Sequence, residues 1–365
     1  MLIKNNPVIT VNPNLRNPII NVSDSITIQT IGDVHLGKTF KTGVSSSKLG
    51  VRESLIVKDL SDLMFPPADS PITHVVIVGD LFDKYIVSPN IVMIAYDLLM
   101  KASDKYSHIE YFLIPGNHDF SRDITKKSSY SLLYLMLQGL PNIHIVYDKF
   151  IYHEVDEDNA LYFDSYDAFH KEREESYYNY PFKKDVNIIS FGHWDSIKNE
   201  FGSYYPHKHI VEYSSTIVSG HIHTPEQFES EGVQYIYTGS LQPYSHAEDP
   251  HNQFYITIQY DVLESYFEKE STTELEKLAT KNVRISCYPG YVLPFELECL
   301  SLTYYNNLVH EIEASVSEET SKTITDFSSL YLHVLKEDHD VEKDLLIKIN
   351  DFLKDTSDNV QFSLD

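Results

Sequence analysis

The sequence predicts an α/β layered domain. Short β-rich runs alternate with helix-like stretches, and run after run ends in a glycine beside a side chain able to hold a metal. Hydrophobic residues make up 42% of a 365-residue chain, enough for a real core, so wholesale disorder is excluded.

Residues 1–25 are rich in Asn, Pro and Ser and read as an irregular arm or short edge strands. The organised part begins at ITIQTIGD (26–33), an apolar run that ends in a polar dyad. The same grammar returns in HVVIVGD (74–80), IEYFLIPGNHD (109–119), NIISFGH (187–193), TIVSGHIH (216–223) and YIYTGS (235–240). Helices are expected over 51–64, with Val51, Leu55, Leu60 and Leu63 at near-helical spacing, and over 90–107 and 128–139. Functional groups at the C-terminal ends of strands converge on one crevice in such folds, so residues as distant in sequence as Asp33 and His223 can meet.

The Tyr-, Asp- and Glu-dense region 145–190, with its run KEREESYYNY, reads as a solvated helix and loop crossing the core. A substrate-facing insertion is the alternative, because tyrosine-rich loops stack on bases. Composition changes after residue 262: LESYFEKESTTELEKLAT reads as a charged helix and NVRISCYPGYVLPFELECLSL as strands split by a Pro-Gly turn. The expected division is 1–262 for the main domain, 263–330 for a small α+β unit and 331–365 for a C-terminal helical segment. There, Val341, Leu345, Ile349 and Phe352 form one apolar stripe, to be buried on its own domain or on a partner.

With 29 basic against 54 acidic side chains, the formal charge is -25. That balance argues against a chain gripping DNA unaided, since backbone binding needs positive charge to displace counterions. A local basic cleft, bound divalent cations or a basic partner stay compatible with it. Cys287 and Cys299 form neither a disulfide framework nor a zinc knuckle, so a reduced, cytoplasmic setting is expected. No window approaches the length of a membrane span.

The strand ends carry the chemistry. Asp33 and His35 lie two apart, so in an extended segment they share a face. Asp80 in GDLFD has two carboxylate oxygens and can bridge two cations; Asp83 reads as a neighbouring acceptor or a helix cap rather than a ligand. Gly79 permits the tight exit that turns Asp80 inward. In PGNHD, Asn117 offers a carbonyl oxygen to a metal while its amide can donate to a phosphate oxygen. His118 is left for the substrate, and Asp119 is expected to accept from its ring and fix its tautomer. FGHWD and SGHIHTP add His193, His221 and His223, whereas His207, His209, His246 and His251 lack that context and read as non-ligands.

These residues divide into two ion sites. Asp33, His35, His223 and the shared Asp80 would hold one, and Asp80, Asn117, His193 and His221 the other. Nitrogen and oxygen donors without sulfur suit Mn, Fe or Zn better than Mg, and manganese is the expected ion. Hydrolysis of a phosphate ester is the implied reaction, with His118 protonating the leaving oxygen.

The series DVH, GDLFD, GNHD, GH and GHIH resembles the calcineurin-like metallophosphoesterase superfamily, over residues 33–223. Within it, the helical insertion after DVHLG, the GDLFD form and the closing GHIHTP…YTGSLQP resemble the nuclease subunit of the SbcC/SbcD recombination complex, bacteriophage counterparts included. The resemblance implies a β-sandwich core flanked by helices, a small capping domain, and C-terminal helices that dock on an SMC-like ATPase. It also implies a manganese-dependent DNA nuclease, exonucleolytic on duplex ends and endonucleolytic on single strands, that dimerises through its core in the cytoplasm, or the host cytoplasm for a viral member. Two departures stand out. Asp83 occupies a position where archaeal and eukaryotic relatives carry histidine, and the arm before Ile26 is unusual. A small-molecule phosphomonoesterase or cyclic-nucleotide phosphodiesterase would use the same residues, and a catalytically silent scaffold would use the same fold.

Overall fold

The computed structural model of the protein describes residues 16–123, 125–166, 182 and 185–306. The chain divides into two compact units, residues 1–285 with 295–303, and residues 286–294 with 304–365. The first unit is an α/β layered fold with two mixed sheets.

Strands Ile19–Ser23 (β1), Ile26–Ile31 (β2), His74–Val78 (β3), Glu110–Ile114 (β4) and Ile143–Ile145 (β5) form one sheet in sequence order, parallel except at β1. The second sheet uses Ile151–Glu154 (β6), Asn159–Phe163 (β7), Asn187–Gly192 (β8), Ser214–Ser219 (β9), Glu226–Ser230 (β10) and Val233–Tyr237 (β11). Its order is β10-β11-β9-β8-β7-β6, with a parallel centre and antiparallel edges. All six strand runs read from the sequence are present. A third sheet has the order β12-β13-β14, from Tyr255–Gln259, Asn282–Cys287 and Ser301–Asn306.

Two apolar layers explain why the central strands read as unbroken hydrophobic runs. In β3, Val76 and Val78 face a core shared with Phe163, Phe191 and Val218 of the second sheet, while Val75 and Ile77 face the helices. A parallel strand covered on both faces has no side to leave polar. Each such fully buried Val, Ile or Phe contributes about 1.5–3 kcal/mol.

The helices Val51–Met64 (α1), Pro89–Lys105 (α2) and Ser129–Leu137 (α3) cover the outer face of the first sheet. Pro89 sits in the first turn of α2, where a missing N–H costs nothing, and Ser128 caps α3 by accepting from the Ser131 N–H. α1 has the expected bounds, and its buried row is Arg52, Ile56, Leu60 and Met64. Arg52 can occupy a core row because its Nη2 donates to the Pro243 carbonyl and its guanidinium lies over the rings of Phe40, Phe254 and Tyr255.

Two further expectations change. The solvated helix and loop over 145–190 gives way, in its described part, to the hairpin β6–β7, which enters the second sheet and buries Ala160, Leu161, Tyr162 and Phe163. The run KEREESYYNY lies outside the described residues. The charged helix after 262 is two short ones, Tyr260–Glu268 and Thr272–Glu276, separated by Glu270, whose φ of 53° ends the first. The stripe from Val341 to Phe352 also lies outside the described residues. Among those described, no helix is long and apolar enough to cross a membrane.

Candidate metal centre

Five strand ends converge. β2 delivers Asp33 and His35, β3 Asp80, β4 Asn117 to Asp119, β8 His193, and β9 His221 and His223. Four of these residues leave their strands in the left-handed region: Asp33 at φ 27°, His35 at 52°, Asp80 at 48° and His221 at 72°. Non-glycine residues pay for that geometry, of order 1–3 kcal/mol each, and it is characteristic of functional sites. Gly79, at φ 91°, makes the turn before Asp80, and a Cβ there would lie 2.0 Å from His193 Nδ1.

The ligand-capable atoms meet in overlapping groups. Asp33, His35 and His223 form one; Asp33, Asp80 and His193 another; His35, Asp80 and His118 a third. His35 Nε2 lies 3.2 Å from His223 Nε2 and 3.8 Å from Asp80 Oδ2. Asn117 Oδ1 lies 3.0 Å from His193 Nε2 and 3.1 Å from His221 Nδ1. All seven candidate ligands therefore lie in one cluster, as does His118. Asp33 reaches both halves of it, being 3.8 Å from His193 Nε2 and 3.9 Å from His223 Nε2. His207, His209, His246 and His251 join none of these groups among the described residues.

Charge explains what such a cluster lacks. Asp33 and Asp80 are almost wholly buried, and their ion-pair partners within 4 Å are histidines. Burial pushes the Asp33 carboxyl up to about 6 against the pull of His193 and His223. Burial also opposes ionisation of Asp80, but the neighbouring His193 and His35 rings hold its carboxyl below the usual range. The His193 ring, which burial would hold neutral, is drawn up to about 9 by Asp80 and Asp33. Burial keeps His35 and His221 neutral, at about 3 and about 4. Two buried carboxylates, the neutral rings of His35 and His221, and a His193 ring whose proton offsets the carboxylate charge make a set of nitrogen and oxygen donors that a divalent cation could satisfy in place of that proton, and the residues fit one.

The calcineurin-like phosphoesterase family model matches residues 26–225, more than half of the chain. The chain belongs to that family. This calcineurin-like phosphoesterase is similar in structure to the phosphopantetheinyl hydrolase PptH from Mycobacterium tuberculosis, at 14% identity and a TM-score of 0.37, covering 61% of this chain and 95% of that one. It is also similar to a dimetal phosphatase from Danio rerio, at 14% identity and a TM-score of 0.40, with 60% and 88% covered. No curated protein matches the chain at a significant level.

The ring nitrogens turned away from the centre of this phosphoesterase are held. His193 Nδ1 donates to the Val78 carbonyl at 3.0 Å, which leaves the Nε2 lone pair facing inward when the ring is neutral. His221 Nε2 meets Asp195 Oδ1 at 3.1 Å, and His223 Nδ1 lies 3.3 Å from Glu248 Oε2. Asp83 sits 3.5 Å from His35 Nδ1 and 3.2 Å from Lys38 Nζ, so its carboxylate borders the cluster. Sequence reasoning assigned no role to Asp195 or Glu248. Asp195 was visible as the last letter of FGHWD, whereas no local pattern marks Glu248.

Asp119 takes a different part from the one expected. His118 Nδ1 donates to the Asp83 carbonyl at 2.6 Å, while Asp119 accepts the N–H groups of Leu81, Phe82 and Gly116. Its carboxylate turns into the protein, where burial pushes its pKa up to about 7 against those three donors. Because a carbonyl only accepts, His118 Nδ1 carries a hydrogen, and the other ring nitrogen, Nε2, lies 4.0 Å from Asp80 Oδ2.

Proposed function

We propose that the chain is a metal-dependent DNA nuclease, the nuclease subunit of a complex with an SMC-like ATPase of the SbcC type. The observation that carries this reading is the cleft beside the metal centre, a cavity of about 980 Å³. Its lining includes Asn117, His118, His193 and His221, with Asp195, and also Lys84, Arg122 and the rings of Tyr85, Phe120, Tyr166 and Tyr204. A phosphomonoester needs only the asparagine and histidines. Cations and aromatic faces beside them suit a phosphodiester with flanking phosphates and bases, against the acidic charge of the rest of the chain.

Asp33, His35, His223 and Asp80 would hold one ion, and Asp80, Asn117, His193 and His221 a second, with manganese the preferred metal. Bound there, such ions would supply a more acidic water and positive charge against that building on the phosphoryl oxygens. Asn117 keeps its amide N–H groups for a phosphate oxygen. His118, 42% exposed at its side chain and held through Nδ1, presents Nε2 to the cleft and gives its proton to the leaving oxygen.

In this reading residues 1–262 are the nuclease domain and 263–330 a cap that admits DNA. Residues 331–365 then carry the helix that docks on the ATPase, its stripe running from Val341 to Phe352. Dimerisation through the core and work in recombination, repair or replication in the cytoplasm belong to the same proposal. The purified chain with Mn²⁺, alone and with the ATPase, should degrade duplex ends and nick single-stranded circles. Hydrolysis confined to small nucleotides under both conditions would replace the nuclease reading with the small-molecule one.

A further inference from the structure

We infer that Arg16 and Asn17, at the end of the N-terminal arm, are positioning residues for the Asp33–His35–His223 half of the metal centre. The proposal rests on the metal-binding reading above.

Arg16 Nη1 donates to the His223 carbonyl at 2.5 Å and to Ser240 Oγ at 2.9 Å, and Nη2 donates to the Glu248 carbonyl. One guanidinium thus ties the loop carrying His223 to the segment carrying Glu248, whose carboxylate holds the far side of the His223 ring. Only a planar fork reaches two carbonyls in this way. Burial lowers the Arg16 pKa, and the nearby Glu248 and Asp249 carboxylates oppose that shift.

Asn17 does the same for Asp33. Its Oδ1 accepts the Gly32 N–H at 2.9 Å, one residue before Asp33, and its Nδ2 donates to the Leu241 carbonyl at 3.2 Å. The Leu241 N–H in turn donates to the Asp33 carbonyl at 3.3 Å. Asn17 adopts φ 52°, a conformation asparagine tolerates better than most side chains, and is 9% exposed. Its backbone N–H and carbonyl are also engaged, by the Thr238 carbonyl and Gln29 Nε2.

Asp33 leaves its strand with strained backbone, so its carboxylate stays in place only if its neighbours hold it. The arm supplies such neighbours to Asp33 and His223. No hydrogen bond links Arg16 or Asn17 to Asn117, His193 or His221 among the described residues.

The test is Mn²⁺ titration of the full chain by calorimetry and electron paramagnetic resonance, in wild type, Arg16→Ala, Arg16→Lys and Asn17→Ala. One of two ions should weaken by about tenfold or more and the other by clearly less, matching the profile of His223→Ala rather than that of His221→Ala. Lysine should not restore it. Wild-type binding of both ions in every variant that folds, or equal weakening of both, overturns the proposal. A wild-type chain that binds no Mn²⁺ overturns the metal reading beneath it.

Discussion

His221 Nε2 lies 3.1 Å from Asp195 Oδ1, and this contact turns the other ring nitrogen, Nδ1, toward Asn117 Oδ1. Asp195 is itself anchored by the Ser203 and Tyr204 N–H groups on Oδ2. Its replacement by asparagine keeps the shape and removes the charge that favours Nδ1 as donor to a cation. Asp195→Asn should weaken metal binding by about 10–100-fold, read by chelator competition. Unchanged affinity would reduce Asp195 to a loop anchor.

His118→Ala should keep both ions and lose about 10²–10⁴-fold in turnover, because the residue supplies a proton rather than a ligand in this reading. Its Nε2 lies within reach of the cluster, 4.0 Å from Asp80 Oδ2, so metal stoichiometry decides between the two roles. Loss of an ion in His118→Ala would make it a ligand.

Asp119→Ala should act on stability. Three backbone N–H groups lose their acceptor, and at least about 3 kcal/mol should disappear from urea unfolding of the metal-free protein. A fall in turnover with an unchanged unfolding midpoint would return Asp119 to orienting His118.

Gly79→Ala joins a Cβ placed 2.0 Å from His193 Nδ1 to a backbone at φ 91°. The cost should be at least about 2 kcal/mol, with weaker metal binding because His193 must move. Wild-type unfolding and affinity in this variant would contradict the packing described.

Away from the site, acid should destabilise the fold through His74. Burial lowers its pKa from 6.5 to about 4, with His153 and His144 adding to the effect and Glu110 opposing it, and its Nε2 has no hydrogen-bond partner. The folded ring is neutral, so between pH 6.5 and 4 the unfolded chain binds more protons. This contribution is complete above pH 6.5 and is lost as the pH falls, by about 3 kcal/mol at full loss. In His74→Phe, pH-dependent urea unfolding should lose that part of its slope.

The strands were legible because their physics is local. A run buried on both faces must be apolar throughout, and a glycine at its end announces the turn that points Asp80 or His193 inward. The length of α1 was legible from its spacing, but its buried row was not, because Arg52, a charged residue, occupies a core row that its stacking on Phe40, Phe254 and Tyr255 makes habitable. The β6–β7 hairpin was hidden by the acidic residues around it.

The sequence by itself determined the layered α/β class, the strand ends and the side chains they carry, since each depends on a few neighbouring residues. Only the tertiary structure decided what surrounds those side chains. Asp119 follows His118 in sequence yet binds the 81–82 turn, because adjacent side chains leave a tight loop in opposite directions. Glu248 and Arg16 lie far from His223 in sequence and reach it through space, where hydrogen bonds depend on distance and leave no periodicity to read.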